Sequence, residues 1–281
     1  MSAPVLTAPA VTATEASATA RHAEIWQALA TVVDPELDEP VTDMGFISRI
    51  DVDASDCVHV DFRLPTYWCA ANFAFLMASD MRDVVLDLPW VKGTTIVLGE
   101  HMYTEKINKG IAEGLSFEET FGDEANGNLD EVRRTFLVKA YQRRQEALIR
   151  HLAAQGMSAD VICAMTISDL AATSPGGKVS DEASGELSKL VARYMDRREV
   201  IGPFTGQSLA FVSAEDQSLT PPGLTTYLAG LRRIRANAEF NGALCRGLLA
   251  VRFDMDTPLP PRPQKACRSG APTAVQSTNI E

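Results

Sequence analysis

Leu64-Pro65-Thr66-Tyr67-Trp68-Cys69-Ala70-Ala71-Asn72-Phe73 is the stretch whose reading decides the fold. Before it, Cys57 to Leu64 alternates apolar and polar residues as a strand does. After it, Phe73, Leu76, Met77, Met81, Val84, Val85 and Leu88 recur at the spacing of an amphipathic helix that stops at Pro89. Thr66 reads as the N-cap of that helix, which places Cys69 near the third helical position. Unpaired backbone N–H groups and the positive end of the helix dipole favour a thiolate there. A thiolate is what a nucleophile or a soft-metal ligand requires.

On the N-terminal side, Phe46 to Val52 also alternates, and the turn Asp53-Ala54-Ser55-Asp56 predicts a hairpin with the next strand. Ile25, Trp26, Leu29, Val32 and Val33 predict a helix from Arg21 to Val33, ended at Asp34-Pro35 because a residue before proline is pushed out of the α region. Asp34-Pro35-Glu36-Leu37-Asp38-Glu39-Pro40 is then an acidic loop bounded by prolines. On the C-terminal side, Thr94 to Leu98 reads as a third strand running into Gly99-Glu100-His101-Met102. A short helix, Ile107 to Gly114, follows and is closed by Ser116 to Gly122. This order predicts an α+β domain over residues 21–122, a small sheet with helices on one face.

Polar residues Asp123 to Asn128 mark the domain boundary. Residues 129–253 read as a mainly α-helical domain. One long helix ends at Gly156, a second runs from Ser158 to Ala172, and Pro175-Gly176-Gly177 breaks the pattern. A third helix spans Asp181 to Arg198, and a fourth starts at Leu224 and reaches Phe240 or further. Ser208 to Val212 is the candidate for a short strand. The Ala/Thr-rich residues 1–20 read as a disordered leader and residues 254–281 as a disordered tail.

Composition excludes several classes. The 281 residues carry 26 basic and 37 acidic side chains, a formal charge of -11, which argues against a nucleic-acid partner. No run of about 18 apolar residues offers a membrane span. The five cysteines are odd in number and lack C-x-x-C spacing, so a zinc ribbon or a disulfide framework is not indicated, and a reducing cytoplasm suits them. No Gly-rich phosphate loop, H-E-x-x-H or G-x-S-x-G occurs. Gln155-Gly156-Met157-Ser158 reads as the turn of an ordinary helical hairpin, and Arg232-Arg233-Ile234-Arg235 as a solvated helix face.

Three blocks in order resemble the MIP18 (DUF59) family, which includes SufT-like and PaaD-like iron–sulfur assembly factors. Asp34-Pro35-Glu36-Leu37 is similar to its Asp-Pro-Glu box, and Val41-Thr42-Asp43-Met44-Gly45-Phe46-Ile47 to its turn into the first strand. Pro65-Thr66-Tyr67-Trp68-Cys69 is similar to its loop with a single reactive cysteine. Ala70 follows the cysteine where many relatives carry Pro or Gly. The resemblance covers residues 21–122 and implies a non-enzymatic factor that handles iron or an iron–sulfur cluster on its way to a client apoprotein. Divergent members with helical extensions are similar to proteins accompanying multicomponent monooxygenases, which implies an oxygenase component as client.

Within that implication, Cys69 is the transient metal ligand and Thr66 its cofactor-binding neighbour. Asp34, Glu36 and Asp43 are the further candidate metal ligands, on loops expected at the same end of the sheet. One cysteine cannot close a cluster that takes four ligands, so the rest fall to a second protomer in a homodimer, a small thiol, the client, or nearby oxygen and imidazole groups. The plainer readings are loop-shaping for Asp34 and Glu36, and a turn with a left-handed glycine for Asp43-Met44-Gly45. His101 reads as a surface histidine first and an imidazole ligand second, and His59 as solvent-facing. Cys57, Cys163 and Cys245 read as structural and Cys267 as incidental. The competing function is a protein-binding chaperone or scaffold for monooxygenase assembly, without metal transfer.

Overall fold

Val58, Val60 and Phe62 put three apolar side chains on one face of a strand, and all three are buried. That strand, β2 (Cys57–Phe62), is central to a three-stranded sheet in the order β1-β2-β3. β1 (Ile47–Val52) pairs with it antiparallel, with Val52 opposite Val58, through the predicted hairpin. In the turn, the Asp53 carboxylate accepts from the N–H groups of Ser55 (2.7 Å) and Cys57 (3.0 Å), and Asp56 takes a left-handed φ of 59°. β3 (Gly93–Leu98) pairs with β2 in parallel, with Phe62 opposite Leu98. A parallel neighbour requires a crossover, and α2 (Ala71–Leu86) supplies it, packing on β3.

The computed structural model describes residues 13–124, 128–173 and 182–253. α1 (Ala13–Leu29) packs on α2, burying Ile25 and Leu29. It begins inside the stretch read as a leader, because the alanine-rich residues 13–20 contain no glycine or proline to stop a helix. It also ends four residues earlier than the sequence predicts: Val33 bridges to Pro40, and the Val41 N–H donates to the Val32 carbonyl. Gly45 takes φ 71°, as the turn reading requires. α3 (Thr104–Glu113) packs on α2 and β3. Asn108 on α3 accepts from the Leu98 N–H (2.8 Å) and donates to the Leu98 carbonyl (3.0 Å), pairing with backbone that the third strand leaves open. α4 (Phe117–Phe121) starts on a capping box of Ser116 and Glu119 and sets Phe117 and Phe121 edge-on to Phe75.

The chain divides into two compact units. The described part of the first comprises residues 13–34, 39–124 and 248–253; that of the second comprises 35–38, 128–173 and 182–247. The fold is therefore α+β in the first unit and mainly helical in the second. α5 (Leu129–Ala154), capped by Asn128, lines the second core with Tyr141, Leu148, Ile149 and Leu152. The predicted helix from Ser158 to Ala172 is two helices, α6 (Ala159–Ala164) and α7 (Ile167–Ala172). They part at Met165-Thr166, where the Ala210 N–H bonds Met165 and the Ile167 N–H bonds Ser208, while Thr166 starts a capping box. Ser208 to Val212 consequently forms isolated bridges to Thr166 and Ser218 rather than a strand. α8 (Glu182–Arg198) adds Tyr194, and α9 (Leu224–Arg252) runs well past Phe240. No described helix is long and apolar enough to cross a membrane. The tail, the Pro175-Gly176-Gly177 break, half of the boundary segment and the first twelve residues lie outside the described residues.

A buried polar network organises the second unit. Tyr141 Oη and Gln145 Nε2 both donate to the Val212 carbonyl at 2.8 Å, and Tyr227 Oη donates to Gln145 Oε1. Tyr194 Oη donates to the Ala210 carbonyl. Burial pushes the Tyr194 phenol up to about 12, so these hydroxyls remain protonated donors. The segment Pro35–Asp38 belongs to this unit. Asp38, buried and at φ 55°, accepts from Arg144 Nε (2.6 Å) and Nη2 (2.8 Å) and from Arg197 Nη2 (3.3 Å). The acidic loop thus contributes to a buried ion cluster. Asp38→Ala is expected to destabilise the protein by about 3 kcal/mol, because two guanidinium groups lose a buried counter-charge. Urea unfolding of the full chain checks this, and an unchanged midpoint would reassign Asp38 to a surface role.

Candidate functional site

The parallel pairing of β2 and β3 makes both strands exit at the same end of the sheet. The segment after β2 carries Cys69 and the segment after β3 carries His101, so residues 32 positions apart meet. Cys69 lies in a loop two residues before α2, whose N-cap is Ala70. Thr66 is therefore not the helix cap. The turn Pro65–Trp68 intervenes before the helix begins, and Thr66 instead faces the thiol, with Oγ1 3.1 Å from Cys69 Sγ. A hydroxyl at that distance donates its proton when the sulfur is ionised.

The loop is held through its backbone. His101 Nδ1 accepts from the Tyr103 N–H (3.2 Å), which leaves Nε2 as the protonated nitrogen donating to the Cys69 carbonyl at 2.7 Å. Alongside, the Met102 N–H donates to the Tyr67 carbonyl at 2.9 Å. The Thr104 hydroxyl accepts from the His101 N–H and caps the Gly99 and His101 carbonyls. His101 is only 4% exposed, which corrects the surface reading. Burial holds its pKa below the ordinary 6.5; the Cys69 carbonyl opposes that shift, and the positive charge of Arg252 adds to it. The imidazole is neutral and committed to the backbone on both nitrogens. It positions the loop and does not serve as a metal ligand in this arrangement.

Above this framework, Trp68 is 72% exposed, Tyr67 52% and Met102 49%, an apolar collar beside a half-buried thiol. The other expected ligands do not join it. Among the described residues no group of three or more His, Cys, Asp and Glu could hold a metal ion. The Glu36 carboxylate accepts from Asn241 Nδ2 (3.0 Å) and its carbonyl from Arg143, both in the second unit. Asp34 is nearly buried, and its N–H bonds the Glu39 carbonyl, which supports loop-shaping. Asp43 is exposed beside Thr42. His59, expected to face solvent, is 7% exposed on the central strand; its Nε2 lies 3.7 Å from Asp53. Cys57 and Cys163 are buried, as structural cysteines should be, and Cys267 lies outside the described residues.

Two residues of the site carried no signal that sequence reasoning could use. Asn108 and Arg252 act on strand ends through hydrogen bonds that depend wholly on tertiary placement. Arg252 donates to the Leu64 carbonyl (3.3 Å) and the Glu100 carbonyl (3.0 Å), just ahead of the two segments that meet at Cys69.

A small sheet with a βαβ crossover and a half-buried thiol in the loop after its central strand defines a thiol-bearing α+β domain. Residues 22–97 match the family described as iron-sulfur cluster assembly protein. The Fe-S protein maturation auxiliary factor YitW of Bacillus subtilis (strain 168) is 31% identical over 72 residues, 26% of this chain and 69% of the relative. This chain belongs to the iron-sulfur cluster assembly protein family, and its role lies in iron–sulfur cluster assembly or maturation. No solved structure matches it.

Because the folded His101 has a depressed pKa, protonation favours the unfolded chain. The stability it contributes is present above about pH 6.5 and is lost as pH falls through the lower folded value. Urea midpoints measured between about pH 7.5 and pH 5 should fall with acidification. His101→Gln should flatten that slope, and an unaltered slope would show that the imidazole is not the group responsible.

Proposed function

We propose that this protein takes up iron or an iron–sulfur cluster transiently on Cys69 and passes it to a client apoprotein, without catalysing a reaction of its own. The observation that carries this reading is the half-buried Cys69 thiol, 3.1 Å from the Thr66 hydroxyl, on a loop held from behind by His101. A soft thiolate suits iron–sulfur cargo. A single thiolate leaves most of the cargo's coordination to other molecules, which favours release over storage. Cluster ligands beyond Cys69 come from the client, a small thiol or a second copy of the chain. Cys57, Cys69 and Cys163 form no disulfide, which supports a reducing compartment, the cytoplasm, as the setting.

A second reading draws on the exposed Tyr67, Trp68 and Met102, residue types enriched at protein interfaces. In it the protein docks a client, such as an oxygenase component, as a scaffold and transfers no metal. Anaerobic reconstitution with ferrous iron and sulfide separates the two. The transfer reading expects thiolate-to-iron charge-transfer absorption that Cys69→Ser abolishes and Cys163→Ser retains. Equal loss in both variants, or client maturation untouched by Cys69→Ser, would favour the scaffold.

A further inference from the structure

The last turn of α9 belongs to the first unit, although it lies far along the chain from the stretch that matches the family. It ends at Arg252, whose guanidinium makes three contacts there. Nη1 donates to the Leu64 carbonyl at 3.3 Å, Nη2 donates to the Glu100 carbonyl at 3.0 Å, and Nη2 pairs with the Glu100 carboxylate at 3.2 Å. Leu64 is the residue from which the Pro65–Ala70 loop departs with Cys69. Glu100 immediately precedes His101, which holds the Cys69 carbonyl. One planar fork therefore bridges the backbone at the roots of both segments that form the thiol site.

The chemistry of the contacts indicates which of them matters. The Glu100 carboxylate is 78% exposed, so its ion pair contributes little. The two carbonyl contacts are different, because they fix the separation of two chain segments regardless of the side chains those segments carry. A guanidinium offers donors in a rigid plane that can span two acceptors, whereas an ammonium offers a single point on a flexible stem. The arrangement is reinforced next door: the Phe253 ring lies under the guanidinium of Arg63 at 4.8 Å and that of Arg252 at 5.0 Å, and Arg63 adjoins Leu64. Both cations thus share one aromatic platform at the exit of β2.

We propose that Arg252 is a positioning residue for Cys69: its fork ties the exits of β2 and β3 together and so sets the presentation of the thiol to incoming iron or cluster. This inference rests on the metal-handling reading of Cys69. It makes the thiol site of this chain a composite, with its sulfur in the family domain and its clasp at the end of a helix that the family match does not include.

The test uses the full chain as wild type, Arg252→Met, Arg252→Lys, Glu100→Gln and Cys69→Ser. Two readouts are taken: amide hydrogen exchange across residues 65–70 and at Met102, and charge-transfer absorption after anaerobic addition of ferrous iron and sulfide. Arg252→Met should keep its far-UV spectrum. Exchange at Met102 should rise about tenfold, the factor expected from losing one hydrogen bond, and the absorption should fall several-fold. Arg252→Lys should behave like Arg252→Met, since charge without the fork does not bridge the carbonyls; it also serves if Arg252→Met loses its fold. Glu100→Gln should lose less than Arg252→Met. Wild-type behaviour of Arg252→Met or Arg252→Lys in both readouts would overturn the proposal, as would a Glu100→Gln loss equal to that of Arg252→Met. If wild type and Cys69→Ser absorb alike, the metal reading itself fails. Exchange at Met102 then decides the clasp alone: a rise in Arg252→Met supports it, and no rise overturns it.

Discussion

Parallel pairing between β2 and β3 is the constraint on which the site depends. Because the two strands run the same way, the segments that follow them leave from one edge of the sheet. Everything around Cys69 is a consequence of that edge. His101 reaches the Cys69 carbonyl, the Met102 amide reaches the Tyr67 carbonyl, and Arg252 spans the Leu64 and Glu100 carbonyls. An antiparallel third strand would send its exit to the opposite end and leave the cysteine loop without a second wall. The parallel arrangement in turn requires α2 as its crossover. The same helix whose first turn follows Cys69 thereby supplies Phe75, Leu76 and Met77 to the core.

The loop is held chiefly by bonds to its backbone. Carbonyl and amide contacts hold the loop while the side chains of Tyr67 and Trp68 stay exposed and the Cys69 thiol meets the Thr66 hydroxyl within the loop. A neutral, buried histidine suits this task. Each ring nitrogen has a definite role, one accepting and one donating, and the tautomer is dictated by the Tyr103 amide. The second unit uses the same strategy on a different target. Tyr141, Gln145 and, more distantly, Tyr227 converge on the Val212 carbonyl, and Tyr194 takes the Ala210 carbonyl. An irregular segment is thereby locked into a core that would otherwise have to bury its unpaired backbone.

The acidic loop shows how a motif read correctly for family carries a different physical role. Glu36, a candidate metal ligand through the family resemblance, and Asp38 sit in the Asp-Pro-Glu region. In the structure Asn241 and Arg143 take Glu36, and Arg144 with Arg197 takes Asp38. The Asp38 carboxylate is thus paired with two guanidinium groups of the second unit, and the Glu36 carboxylate with a neutral amide. The cysteine differs because its neighbour is a hydroxyl, and among the described residues it joins no group of three or more His, Cys, Asp and Glu that could hold a metal ion.

Local pattern alone determined a good part of this protein. Alternation gave β1, β2 and β3 to within a residue or two, and helical spacing placed α2. Gly45 in a left-handed turn was equally legible, because it depends on residues within one turn of chain, whereas Cys69, placed by the sequence inside the helix, lies in the loop before it. Tertiary structure alone decided that Thr66 serves the sulfur instead of the helix, that His59 and His101 are buried, and that the helix after Ser158 breaks where residues 208–210 pair with it. The physical reason is common to all of these. A hydrogen bond or a burial made between distant segments leaves no periodic trace in either one, so Arg252 and Asn108 become visible only once the strands they clasp are in place.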